Sequence, residues 1–450
     1  MNKLIKIILC NSKYLKLLLL CVFIFSVGGY GIYYIKEKII LSKMSNKITK
    51  SFENYNKLLK SFEIQNSDPK KSLELLKHVA DSNFSLALVL LGTYHITGEL
   101  DVEINFRKGV ELMEKGFKQE IIENKLKEID SHEIKLYSQD PYYLDIIGYA
   151  YFEGDKSLPR DTEKGLKYIK QAADAGGYRA CHRLGYAYLF GEYGIKSDIP
   201  KALKYLQIAA DNNVPKAQFM LGFCYLDYNF QITQDVEKAI KYLTLAAHHV
   251  TEPHADAQYL LAKIVIHGSY GTPIDRQNGF KLMHESAKLG NREAQLYLGK
   301  LYLWGEKDFL IDKRKAEDLL QSSANNDNSD AQLLLGLLYM RGKEFSKDAK
   351  YGMHFLHKAA DQNNWDAHFM LGTYYILGKN AGIDQNPERA IKHLKIAADN
   401  GHPGAQYDLS LCYAKGTYIE FNERKSMLYM KKAADQGLKK AIDFLKRIGK

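Results

Sequence analysis

Ser67 and Lys70 fall in the run Ser-Asp-Pro-Lys, the spacing of a serine acyl-transfer nucleophile and its companion lysine. No Lys-Thr-Gly completes such a site, and Ser67-Asp68-Pro69 equally suits the first turn of a helix. His248, His249 and His254 lie close enough in sequence to share a metal. They fall where one helix of a repeating unit ends, and they read as surface histidines. Cys10, Cys21, Cys181, Cys224 and Cys412 have no metal-type spacing and read as small apolar side chains. The glycines punctuate helices and form no phosphate-cradling loop. No catalytic, cofactor-binding or metal-ligating residue is therefore assigned, and the chain is expected not to be an enzyme.

The elements that would position any such group come in a repeat. A chain of 450 residues with only nine prolines suits an array of helices better than one compact core. Gly92, Gly148, Gly185, Gly222, Ala262, Gly299, Gly336, Gly372 and Ser410 fall in register, with steps of 56, 37, 37, 40, 37, 37, 36 and 38. Alanine stands five residues earlier in eight of nine units, with Tyr143 the exception. An aromatic follows three residues later in seven, from Tyr151 to Tyr413, and glycine six residues later in eight, from Gly98 to Gly416. Offsets of this kind put Ala, Leu and Tyr on one helical face, and the glycine ends that helix in a left-handed conformation.

A second helix follows in each unit. Asn105, Asp161, Asp198, Asp235, Asp275, Asp312, Asp348, Asn386 and Asn422 each stand four residues before a small residue and are expected to cap it. Small pairs such as Ala246-Ala247 close it. Small residues on both helices imply close crossing, and stacking of hairpins supplies the core that one hairpin lacks.

The N-terminus has different physics. Leu17 to Ile35 is a run of 19 residues without charge, about 28 Å long as a helix. Lys13, Lys16, Lys36 and Lys38 flank it, and Tyr30, Tyr33 and Tyr34 cluster at its far end. It reads as an uncleaved signal anchor; a cleaved signal ending near Ser26-Val27-Gly28 is the competing reading. Positive charges before and after the span nearly balance, and the short leading tail favours a cytoplasmic N-terminus with the rest exported. The formal charge of +10 is concentrated here: residues 1–50 hold nine Lys and one Glu, or +8, leaving +2 for the rest. That distribution fits a membrane and argues against a nucleic-acid binder. Abundant Lys, Ile, Asn and Tyr point to an AT-rich, bacterial source.

Ala217-Gln218, Leu221-Gly222, Tyr225, Asp235, Lys238-Ala239, Tyr242 and Ala246-Ala247 together resemble the Sel-1-like repeat, a relative of the tetratricopeptide repeat. The resemblance extends over about residues 70–450. It implies an all-α fold, a right-handed α/α superhelical solenoid of about nine helix-turn-helix units, here with an N-terminal transmembrane helix added. It also implies a scaffold or adaptor that binds a protein or peptide in the groove of the solenoid. Relatives in bacteria include periplasmic regulators and host-interaction factors. Relatives discussed as β-lactam or cell-wall hydrolases are rich in paired cysteines, which this chain lacks.

The expected organisation is a basic tail (1–16), a transmembrane anchor (17–35), a helical juxtamembrane linker (36–66) and the solenoid (67–450). Its units lie near 83–117, 140–176, 177–213, 214–250, 254–290, 291–327, 328–363, 364–401 and 402–437, with a C-terminal cap at 438–450. The long first step places an extended or inserted helix at 118–138, and the fifth unit has a longer loop from His267 to Pro273. The expected location is a bacterial inner membrane, with the repeats in the periplasm; release by signal cleavage would make the chain a secreted factor.

Overall fold

The computed structural model describes residues 53–448, apart from 55–56, 59, 66, 126–138, 228–229, 231 and 307–308. The expected anchor at 17–35 and most of the linker lie outside these residues. Among the described residues no helix is long and apolar enough to cross a membrane.

Two compact units divide the chain, residues up to Ala180 and those from Cys181 onward. In the first unit, α1 (Pro69–Asp81) leads the array, followed by hairpins of α2 (Ser85–Thr97) with α3 (Phe106–Lys125) and α4 (Pro141–Glu153) with α5 (Thr162–Asp174). Helix α3 continues through residues 118–125; the remainder of the inserted segment lies outside the described residues. Helix α6 (Tyr178–Phe190) carries the division.

In the second unit α6 is followed by α7 (Ile199–Asp211). The next hairpins are α8 (Pro215–Leu226) with α9 (Val236–Ala247), α10 (Ala255–His267) with α11 (Arg276–Lys288), and α12 (Arg292–Trp304) with α13 (Lys313–Asn325). Then come α14 (Ser329–Arg341) with α15 (Ala349–Asp361), α16 (Trp365–Leu377) with α17 (Pro387–Asp399), and α18 (Pro403–Lys415) with α19 (Glu423–Asp435). Helix α20 (Lys439–Arg447) closes the array: Ala441 is buried and Lys446 exposed. Among the described residues there is no strand beyond one isolated bridge, Glu306 with Phe309. The result is an all-helical repeat solenoid.

Local chemistry sets each hairpin. All nine expected Asp and Asn caps accept a backbone N–H three residues on, from Lys108 to Asn105 at 2.8 Å through Lys201 to Asp198 at 3.1 Å. The backbone N–H of the same nine residues reaches back to the first helix of its hairpin. Asp198 donates to the Tyr188 carbonyl at 2.9 Å and Asn422 to that of Tyr413 at 3.0 Å. One residue thus starts the second helix and ties it to the end of the first. The glycines six residues past the register position all have positive φ, as at Gly98 (77°) and Gly416 (63°). Trp304 and Leu377 end their helices one residue before such a glycine.

The core is built by small residues meeting large ones. Leu206, Leu243, Leu320, Leu356 and Leu394, all fully buried, pack over Gly185, Gly222, Gly299, Gly336 and Gly372 of their own hairpins. The alanines five residues before the register position, such as Ala217 and Ala331, are also fully buried.

Candidate functional site

The residues that could have done chemistry have structural partners. Asp68 caps α1 through the Lys71 N–H at 3.0 Å, and the Ser67 hydroxyl donates to the Ile64 carbonyl at 3.2 Å. Lys70 lies in the exposed first turn of α1. His248 bonds the Thr244 carbonyl at 3.0 Å, and His249 accepts the Glu252 N–H at 3.1 Å. His254 accepts the Ala257 N–H at 3.4 Å as the cap of α10 and stacks on Phe219, with ring centroids 4.6 Å apart. Burial lowers its pKa, so it stays a neutral acceptor. Among the described residues no group of three or more His, Cys, Asp or Glu is placed to hold a metal. Cys181 and Cys224 are buried, and burial pushes the Cys224 thiol up to about 12, outside the reactive range.

The repeated tyrosines are mostly spent inside the fold. Tyr151, Tyr339, Tyr375 and Tyr413 are buried. Tyr151 stacks on Tyr168, Tyr188 on Tyr205 and Tyr413 on Tyr429, with centroids 5.9–6.1 Å apart and planes within 4° of parallel. A lysine from the cap covers the outer face: Lys201 Nζ lies 5.6 Å from the Tyr188 ring centre and 2.7 Å from Asp198.

Sequence reasoning missed a polar ladder between units. Gln218, Gln258, Gln295, Gln332 and Gln406 follow the buried alanine, and their amides donate to the Ala210, Ala247, Ala287, Ala324 and Ala398 carbonyls at 2.9–3.1 Å. A second rung joins helix starts: Asn291 to Asp256 at 2.6 Å, Asn328 to Glu293 at 2.9 Å, and His402 to Asp366 at 3.0 Å. The Ala-Gln dipeptide was the available signal, since a buried amide needs a fixed partner.

The tyrosine register of the second helices is not uniform: Leu112, Phe355 and His393 stand there singly, and two neighbouring hairpins both carry leucine. At the register where α5, α7, α9 and α19 carry Tyr168, Tyr205, Tyr242 and Tyr429, α11 and α13 carry Leu282 and Leu319. Phe309, from the loop after α12, fills the space, with its ring 4.6 Å from Phe280, 5.3 Å from Tyr302 and 6.4 Å from His284. A tight turn sets it there: the Phe309 N–H donates to the Glu306 carbonyl at 2.8 Å, and Glu306 pairs with Arg276 at 3.2 Å. Beside it opens a cleft of about 1190 Å³, with Arg276, Phe280, Tyr302, Lys313 and Lys315 in its walls. Leu310 and Ile311, at the rim, are 90% and 60% exposed. Burial, with Lys288 and Lys315, lowers the pKa of His284, so this wall is neutral at that point. The cleft is built mainly from second helices and a hairpin loop, with Tyr302 of the first helix α12 in its wall.

The Sel1 repeat model matches nine stretches: 85–120, 146–177, 179–214, 215–249, 255–291, 292–328, 329–364, 365–402 and 403–438. A Sel1 repeat protein from Oxalobacter formigenes is 25% identical over 69% of this chain and 87% of its own, with a TM-score of 0.51. A protective antigen of uropathogenic Escherichia coli strains, displaying an SLR fold, is 20% identical over 90% and 89%, with a TM-score of 0.45. No curated protein matches. The nine matched stretches span most of the array, and this chain belongs to the Sel1 repeat family.

Proposed function

We propose that this chain is a membrane-tethered scaffold that grips a partner protein in the cleft between α11 and α13. Sel1 repeats generally mediate protein–protein interaction and are in general non-catalytic scaffolds. The observation that carries the reading is the exposed pair Leu310 and Ile311 beside an aromatic-walled cleft. Large apolar side chains facing water at the rim of a pocket are where binding energy concentrates. Arg276 pairs with Glu306 and Lys315 with Asp312, and Lys313 adds a further cation to the wall, so the favoured partner segment carries an apolar anchor near a carboxylate.

The tether is the uncharged run Leu17–Ile35 with its flanking lysines. It supports a single pass in a bacterial inner membrane, with the repeats in the periplasm. Ser26-Val27-Gly28 supports a second reading, in which signal cleavage releases the repeats as an exported regulator or host-interaction factor.

The test places a photo-crosslinking amino acid at position 310 of the full-length chain, or at Val250, which is 96% exposed outside the cleft. A discrete protein adduct from 310 and none from 250 supports the scaffold reading. No adduct from 310, or the same set from both positions, overturns it. Recovery of the chain in the alkali-resistant membrane fraction, with residues 17–35 intact by mass, supports the tether; a mature N-terminus near Gly28 overturns it.

A further inference from the structure

Three histidines meet where the seventh and eighth repeats join. His357 comes from α15, His368 from α16 and His393 from α17. Nδ1 of His368 lies 2.9 Å from Nδ1 of His393, and Nε2 of His357 lies 2.9 Å from the Tyr375 hydroxyl. Ring centroids are 5.1 Å apart for His368 and His393, and 5.7 Å for His357 and His393. His368 is buried, and the other two are half-buried.

His368 and His393 replace residues that do not titrate near neutrality, and His357 stands where other repeats carry glutamine, threonine, lysine, glutamate or, in α11, His284. His368 sits where Gln218, Gln258, Gln295, Gln332 and Gln406 stand, and its ring likewise bonds a carbonyl, that of Ala360. His393 sits where Tyr168, Tyr205, Tyr242 and Tyr429 stand, stacked on Tyr375 at 6.0 Å. His357 sits at the register of Gln207 and Gln321, and like Gln321 it bonds a tyrosine hydroxyl. The array therefore has an uncharged solution for all three positions; single titratable residues recur at the His357 register, as at His284 of α11, but three histidines meet only at this junction among the described residues.

We propose that this cluster makes the junction of α15, α16 and α17 an acid-responsive joint, loosened by imidazole protonation while repeats without a buried histidine stay closed. A Nδ1-to-Nδ1 hydrogen bond holds one proton between two rings. With the other His368 nitrogen directed to Ala360, His368 Nδ1 accepts and His393 donates. A proton added to His368 Nδ1 sets two N–H groups against each other, breaking the bond and charging a buried ring.

The surroundings set the direction. Burial, then His368, His357, Lys392 and Arg389, pull His393 down to about 4. Burial lowers His357, helped by Arg389 and His354 and opposed by Asp361. Burial also lowers His368, opposed by the Ala360 carbonyl and Asp361. The groups facing the cluster are thus His354 and Asp361 from α15 and Arg389 and Lys392 from α17. Arg341 of α14 bonds Tyr374, and His402 of the next hairpin pairs with Asp366. The unfolded chain takes up these protons near pH 6.5 and the folded junction resists them. The stabilisation is therefore full above that pH and is lost as pH falls towards about 4.

The experiment is hydrogen–deuterium exchange on the full-length chain at pH 7.5 and 5.0, corrected for intrinsic rates. The wild type is compared with a His357→Gln/His368→Gln/His393→Tyr variant, whose new residues already serve at these registers elsewhere. In the wild type, peptides from 349–399 should lose at least tenfold in protection at pH 5.0 and those from 423–435, a helix without histidine, should not; the variant should show no such difference. Equal acid sensitivity in both proteins, or loss spread evenly over the array, overturns the proposal. If the variant does not fold, histidine NMR of the wild type decides. His368 and His393 remaining neutral at pH 6 supports the joint, and ordinary titration near pH 6.5 overturns it.

Discussion

A methyl group placed on Gly222 would come within 2.7 Å of the Leu243 Cγ, so the two helices of this hairpin touch through a missing side chain. Gly185 and Leu206 repeat the relationship at 2.6 Å, and Gly372 and Leu394 at 2.7 Å. Overpacking a core of this kind typically costs about 1–3 kcal/mol, and leucine adds far more than a methyl. Gly222→Leu should lower the melting temperature well below that of Lys241→Ala, which removes only an exposed cation 5.7 Å from the Tyr242 ring. Equal melting temperatures for the two variants would contradict the packing account.

Asn386 caps α17 by accepting the Arg389 N–H at 3.0 Å. Asn386→Ala leaves that N–H without its partner and should cost about 1 kcal/mol, while Asn386→Asp should cost much less. Urea denaturation of the two variants side by side checks the order; a cost for Asp equal to that for Ala would remove the cap from the account.

Gln332 is fully buried, donates to the Ala324 carbonyl at 2.9 Å and accepts from Gln362 at 2.7 Å. Gln332→Leu keeps the volume and strands both partners, so it should destabilise by about 1–3 kcal/mol although leucine is more apolar. A variant as stable as the wild type would mean the ladder contributes nothing net.

His182 is held neutral: burial, with Arg183, Lys216 and His254 nearby, pulls it down to about 4. Unfolded histidine titrates near 6.5, so this stabilisation is complete above that pH and is lost as pH falls towards 4, by up to about 3 kcal/mol. His182→Gln should flatten the fall in denaturation midpoint between pH 7.5 and 5.0. An unchanged fall would exclude His182 as a source of acid sensitivity.

The hairpins were legible because their determinants are local. A capping Asp four residues before Ala202 and a Gly six after Gly185 each act within a turn or two of chain. What was not legible is what crosses units. The Gln295 amide reaches Ala287 only because stacking brings α11 and α12 together. Phe309 looked like one apolar residue in a loop, and its role follows from Leu282 and Leu319 being smaller than the tyrosines at their register. The histidine cluster was hidden for the same reason: His357, His368 and His393 are far apart in sequence and meet only when hairpins stack. His248, His249 and His254, adjacent in sequence, take separate partners.

The most direct measurement is affinity at the cleft. A peptide selected from a random phage-displayed library against the folded chain is titrated calorimetrically into the wild type and into a Leu310→Asp/Ile311→Asp variant. Both positions face water, so the variant should melt with the wild type. The account requires binding to weaken at least tenfold at unchanged stability; a peptide that binds both proteins equally would contradict it.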